Sequence, residues 1–319
     1  MPIAAGDISW PGATEAVPVV IALLAYAALY VVGVRRLRGT TRAVPGWRVA
    51  CFTGGMLVLL TALVSPIAGA ADEVFWAHMI EHLMIGDLAA LLLVLGLTGP
   101  LIAPVLRLPG MGALRVLVHP VVAFTLWAVN LNAWHLRVLH EGAVRHDDLH
   151  ALQHGLFLAL GMNMWMALLG PLPKPAWFGN AAMLGYIVAV RLTAGVLGNV
   201  FVFGGGALYD VYAPGERAWN ISPGGDQVAA GGIMMVEGSL VTIGLFCWLF
   251  LRAARQTDER QDLIEFAAAH GVDLDEKRAG RAEAAGRGDD LRDRILAAEG
   301  GERTAQHTPV CSKLLSAGL

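Results

Sequence analysis

About seven stretches of this chain are apolar for long enough to cross a hydrocarbon core, which takes roughly 20 residues of helix. They run over Val17–Val34, Trp47–Ile67, Val74–Leu97, Val116–Trp134, Leu149–Leu169, Ala181–Phe203 and Val228–Leu251. No other feature limits the fold as tightly. The chain is expected to be all-α, a polytopic membrane bundle of about seven transmembrane helices. Composition agrees where it matters. Charged residues make up 15% of the chain, against about 25% in soluble domains. They are also unevenly spread, most acidic residues lying after Arg252. This divides the chain into a bundle over residues 1–251 and a charged tail over 252–319 that is partly helical or disordered. The tail, with "EKRAGRAEAAGRGDDLRDRILAAEGGER", carries no catalytic motif.

Cys51, Cys247 and Cys311 form neither a C-x-x-C pair nor a zinc-finger spacing, so the first two read as small packing residues. No Lys or Arg precedes the first apolar run. A cleaved signal peptide is therefore not expected, and the run reads as a retained span.

Positive charge sets the expected orientation, because loops facing the cytoplasm are enriched in Lys and Arg. Arg35, Arg36, Arg38, Arg42 and Arg48 lie between the first two spans, Arg107 after the third, Lys174 after the fifth, and Arg252 and Arg255 after the seventh. The opposite loops carry Arg137, Arg145 and Arg217. The N-terminus is thus expected outside, the tail in the cytoplasm, and the linker from His135 to His150 on the extracytoplasmic face. Such a chain belongs in a cytoplasmic (inner) membrane, in contact with lipid, and no nucleic-acid partner is expected.

Of ten histidines, seven fall at or near the outer face under this topology: His78, His82, His135, His140, His146, His150 and His154. Their clustering played no part in setting the topology. His78 and His82 are four apart at the start of the third span, within "WAHMIEHLMI", and His150 and His154 repeat that spacing in "HALQH" at the start of the fifth. An i, i+4 pair stacks on one helix face. Two such pairs on neighbouring helices offer up to four imidazole nitrogens for copper or zinc, and His135 at the end of the fourth span adds weight to a metal or cofactor. Interfacial polar residues are the ordinary alternative for any single pair.

The seventh span opens with "DQVAAGGIMMVEG". Asp226, Ala230, Met234 and Glu237 share one helix face, with Gln227, Gly231 and Gly238 alongside. Met234 and Met235 fall in its outer half, and thioether sulfur suits Cu(I). Imidazoles above thioethers favour copper over zinc. Asp87, Arg191 and Glu237 have similar estimated depth near mid-membrane, where charges are costly and usually paired. Asp87 lies nine steps of about 100° from His78, on roughly the opposite face. It is expected to lock to Arg191, with Glu237, and not to ligate metal.

The blocks "HMIEHLMIGDLAALLLVLGLTGP", "AWHLRVLHEGAVRHDDLHALQHGLFLALGMNMW" and "DQVAAGGIMMVEGSLV" resemble, in order and placement, the three signature blocks of the CtaG-like cytochrome c oxidase assembly factors. These are the multi-pass family linked to caa-type oxidases. The resemblance runs from about Ser65 to Leu251. It implies an integral membrane protein that helps build haem–copper oxidase, supplying copper to its CuB centre. The family's recurrent positions correspond here to His78, His82, Trp134, His135, His150, His154, Asp226 and Gln227. The chain departs from the family at Gly86-Asp87 and at Arg137, where prolines are usual; neither change removes a proposed ligand.

The leading reading is a non-enzymatic assembly factor, a metallochaperone. It would bind copper, with Cu(I) favoured, at the outer end of the bundle and pass it to a cytochrome c oxidase subunit. His78, His82, His135, His150, His154, Met234 and Met235 are the candidate ligands. Glu81, Asp87, Arg191, Asp226, Gln227 and Glu237 are supporting or structural. Glu81 stands i+3 from His78 and is expected to orient that ring. His78 to His82 also spells H-x-x-E-H, a zinc-peptidase pattern with Glu81 as base, but no obvious third ligand accompanies it. A haem-binding electron-transfer protein is the stronger rival, since paired helical histidines can ligate haem. A copper transporter is a further alternative, weakened by the lack of matching His or Met in the inner half.

Overall fold

A computed structural model describes residue 10 and residues 13–108, 114–284 and 287–306. The first nine residues, on which the signal-peptide reading partly rests, lie outside the described residues, as do His307 and Cys311. Among the described residues the regular structure is entirely helical. The chain divides into two compact units between Gly244 and Leu245.

The first unit opens with α1 (Ala13–Leu37), α2 (Gly46–Val64) and the short α3 (Pro66–Ala71). The third span is composite. α4 (Phe75–Leu83) passes through a π-helical turn at Met84–Ala89 into α5 (Ala90–Gly96). Then come α6 (Gly99–Leu106), α7 (Leu114–Leu117), α8 (Pro120–Trp134), α9 (Arg137–Arg145) and α10 (Asp147–Leu169). α11 (Asn180–Phe203), a 3₁₀ turn at Asp210–Tyr212, α12 (Ala213–Ala218) and the long α13 (Pro223–Ala269) complete the series.

Six of these helices are long and apolar enough to cross a membrane: α1 from Ala16, α2, the Phe75–Gly96 span, α10, α11 and α13. The expected fourth span, Val116–Trp134, falls short of that length. α7 stops at Leu117, His119 is extended, and α8 starts on Pro120 and runs for 15 residues. A proline lacks the N–H needed to continue a helix through it and pushes the residue before it out of helical geometry. Fifteen residues rise about 22 Å, less than a hydrocarbon core of about 30 Å. Large apolar side chains such as Leu24, Leu29, Val196 and Leu240 are more than 60% exposed. Surface of that kind suits lipid, and the protein is a membrane protein.

The Phe75–Gly96 span is the hub, with 61% of its most apolar window buried against 6% for α1. Small residues let its neighbours close on it. α2 packs on α5, where Gly96 faces Phe52 so closely that a methyl group would come within 2.7 Å of the Phe52 Cβ. Tyr30 stacks on Phe52 at 3.6 Å and its hydroxyl donates to the Gly96 carbonyl at 3.1 Å. α10 packs on the π turn, with Gly161 against Gly86; a methyl at Gly161 would overlap the Gly86 carbonyl oxygen.

The second unit includes α14 (Glu276–Ala284) and α15 (Gly288–Gln306). It has its own small apolar core of Leu263, Ala267, Leu274, Ala279, Leu291 and Ile295.

Candidate metal centre

The backbone is fixed first. α4 begins with N–H groups that have no partner within the helix. Asp226, at the start of α13, reaches across to cap them: Phe75 N–H donates to Oδ2 and Trp76 N–H to Oδ1, both at 2.8 Å. The carboxylate also meets the positive end of the helix dipole. Gln227 ties the same corner to α11, its Nε2 donating to the Phe201 carbonyl at 3.1 Å and its Oε1 accepting from Leu208 N–H at 2.8 Å. These two side chains set the rotation of α4, and with it the direction of His78 and His82.

Both predicted i, i+4 pairs point into one site. One ring nitrogen each from His78, His82 and His150 can be chosen so that all three lie within 4.8 Å of one another. Glu81, His150 and His154 form a second such group. The His78 and His150 rings stack at 5.2 Å, the His78 and His82 rings meet at 4.2 Å, and His82 faces His154 at 5.5 Å. His78 is 0% and His82 4% exposed. The His150 and His154 side chains keep 17% and 14% exposure, and Asp72 stands beside His150 with Oδ1 3.8 Å from Nδ1. The site therefore runs from a half-buried outer pair to a buried inner pair. Phe157 floors it, stacked on His82 at 4.4 Å.

Several buried polar atoms of the site lack hydrogen-bond partners, among them His140 Nδ1, His150 Nε2 and His154 Nε2, and the α4 imidazoles lack them on both nitrogens. Neither ring nitrogen of His78 nor of His82 has a hydrogen-bond partner. Buried polar atoms are ordinarily satisfied, and leaving one bare costs about 1–3 kcal/mol. Bare, uncharged imidazole nitrogens in a converging set are the donor chemistry that a borderline or soft cation takes. The residues fit a metal.

Sequence reasoning had not given His140 a role. It projects from α9 into the same wall, fully buried, with Nε2 2.9 Å from the Tyr212 hydroxyl and its ring 4.8 Å from that of His78. Burial, and then the neighbouring His135 and His150, hold its pKa well below the ordinary value. α9 is pinned to the 3₁₀ turn by Glu141, which accepts from Arg137 Nε at 3.1 Å, Arg145 Nη2 at 2.7 Å and Asp210 N–H at 3.0 Å. Arg137 also pairs with Asp210. Burial pushes the Glu141 carboxyl up, but Arg145, the Asp210 N–H and Arg137 outweigh it and hold the group below its usual range.

His135 sits at the C-terminal cap of α8, its ring 6.4 Å from that of His82, outside both three-residue groups. Burial pushes its pKa down to about 4, partly opposed by a bond to the Leu131 carbonyl. Its Nε2 lies 3.4 Å from the Met79 sulfur.

Three expectations are corrected by the geometry. Glu81 turns to His154, Oε2 to Nε2 3.5 Å, while both His78 nitrogens stay unpartnered. Met234 packs in an apolar cluster with Phe75, Met79, Phe201 and Tyr212, and Met235 lies against Gly198. Arg191 makes no direct ion pair with Asp87 or Glu237, although Glu237 lies within electrostatic reach of both Arg191 and Asp87. Its Nη2 donates to the Met235 carbonyl at 3.0 Å and to Ser239 Oγ at 2.9 Å, and neither Arg191 Nη1 nor Glu237 Oε1 has a hydrogen-bond partner.

A polytopic helical membrane protein with a buried, capped set of imidazoles at one end of its central span is the class these features define. The chain belongs to the cytochrome c oxidase caa3 assembly factor family, whose family model matches residues 28–256. It is also 24% identical over 246 residues to a curated protein of Mycobacterium leprae, "Uncharacterized protein ML1998", covering 71% of this chain and 37% of that protein. The chain thus spans about a third of the length of the curated relative it matches. No solved structure matches the chain.

Proposed function

We propose that this protein takes up copper at the His78, His82, His150 and His154 cluster and delivers it to the CuB centre of a cytochrome c oxidase subunit. Family membership supports the role in oxidase assembly. The observation that carries the copper reading is the pair of buried imidazoles with no partner on either nitrogen, in reach of His150. Copper here is cargo. The half-buried His150 and His154 form its entrance and the buried His78 and His82 its resting place. Exchange between ligand pairs on two helices lets the ion leave without breaking every bond at once. The site faces the extracytoplasmic side, by the loop charges. No bond in a substrate is made or broken, and Glu81, placed against His154, holds that ring rather than acting as a base.

The ring packing favours a small ion over haem. Imidazoles 4.2–5.5 Å apart, centroid to centroid, leave no slot for a macrocycle between them. Metal analysis of the purified protein with an absorption spectrum tests this directly. Bound copper without a Soret band is expected; a Soret band with stoichiometric iron overturns it.

A further inference from the structure

We propose that Met79 Sδ and His135 Nε2 form a separate soft-cation position beside the imidazole cluster, selective for a monovalent d¹⁰ ion such as Cu(I). The selectivity it would confer on copper uptake rests on the delivery role proposed above; the position itself does not.

The protonation of His135 decides the matter. Its Nδ1 lies 2.6 Å from the Leu131 carbonyl oxygen. A carbonyl only accepts, so Nδ1 carries the ring proton. In the neutral ring Nε2 then presents a bare lone pair, and what it faces, 3.4 Å away, is the Met79 sulfur. A thioether has no hydrogen to give. Two acceptors therefore confront one another in a buried setting, Met79 being 1% and His135 9% exposed. A cation between them turns that contact into two bonds. Metal–nitrogen and metal–sulfur bonds of about 2.0–2.3 Å span the gap with a bend at the metal, which leaves a further position open for exchange.

The pair is held in place. The Tyr209 hydroxyl donates to the His135 carbonyl at 2.7 Å, and Met79 packs among Phe75, Phe201 and Tyr209. Imidazoles alone accept several divalent ions, whereas thioether sulfur selects for Cu(I). The fold thus sets a soft, mixed nitrogen–sulfur position next to an all-imidazole one.

The test uses the full chain purified in detergent, with Ag(I) as the air-stable stand-in for Cu(I) and Zn(II) as the imidazole probe. The Met79→Leu variant conserves volume. It is expected to lose one equivalent of Ag(I) while keeping the Zn(II) stoichiometry of the parent. His78→Ala with His82→Ala is expected to do the reverse. X-ray absorption of the silver-loaded parent should show one sulfur scatterer that Met79→Leu lacks, and the parent measurement needs no variant to fold. Unchanged Ag(I) binding in Met79→Leu, or no sulfur scatterer in the parent, overturns the proposal. The delivery role fails separately, if cells carrying the double histidine variant retain normal copper in their oxidase.

Discussion

The two ends of the Phe75–Gly96 span are built alike and finished differently. At its C-terminal end, Arg48 Nη1 donates to the carbonyls of Leu95 and Leu97 at 2.9 and 2.6 Å, and Tyr30 satisfies Gly96. At its N-terminal end Asp226 caps the backbone just as fully. Yet one turn further in, His78 and His82 present four nitrogens that bond to nothing. A fold that satisfies the backbone at both ends has the means to satisfy side chains too. Imidazole nitrogens left bare together on one face of the span are the feature that supports a metal at this end.

That contrast can be broken in order of expected effect. Replacing His78 and His82 together by Ala should empty the imidazole cluster of copper and abolish oxidase activity in cells, yet leave a protein that still folds. No hydrogen bond is lost with them. A collapse in folded yield would show that the rings are structural. Gly161→Ala should strike both properties at once, because the new methyl meets the backbone at Gly86 and drives α10 off the π turn. Folded yield and copper content are expected to fall together, and a normal yield would mean the helices can part without harm. Asp226→Ala leaves one buried and one part-buried N–H bare and should cost about 2–3 kcal/mol, read as a lower denaturation midpoint. Arg48→Ala at the other end should cost about 1–3 kcal/mol without changing metal content. If Arg48→Ala also empties the site, the two ends are coupled and the contrast fails.

Glu81→Gln is expected to leave oxidase assembly largely intact, since a glutamine can still meet His154. An effect as severe as the double histidine change, with oxidase copper untouched, would reopen a hydrolytic role. The smallest effect concerns Glu141. Its folded pKa is lowered, so the stability it contributes is present above the ordinary glutamate value of about 4.3. It fades as pH falls through the lower folded value. The parent should lose α9 protection in hydrogen exchange over that acid range, while Glu141→Gln should show it weakened already at neutral pH. Identical protection in the two proteins near neutrality would remove Glu141 from the pinning of α9.

The histidine pairs were legible in the sequence because the helical period turns a spacing of four into a shared face. Their convergence also needed only that α4 and α10 be neighbours. His140 and Met79 were not legible as site residues. His140 reaches the site because a short helix between spans folds back over it, held by Glu141 and Asp210, which are 69 residues apart. Met79 sits one residue from His78, on a face that faces His135 only once α8 is placed. Asp87, Arg191 and Glu237 gather at one depth as expected but form no direct ion pair, for a related reason. Counting from helix ends gives depth but no azimuth, and the π turn over Met84–Ala89 alters the rotation on which the counting for Asp87 depends. The fourth helix is shorter than hydropathy suggests because hydropathy ignores what Pro120 does to a backbone.

The π turn has one more consequence. A regular helix is a single rigid shaft: fixing the angle of one end fixes the other. The wider turn between α4 and α5 acts as a spacer in that shaft, inserted where Gly86 meets Gly161. The upper half can be aimed by Asp226 and the lower half by Arg48 without either setting having to be a compromise. The aim of the two imidazoles is therefore adjustable independently of how the rest of the span is seated among its neighbours.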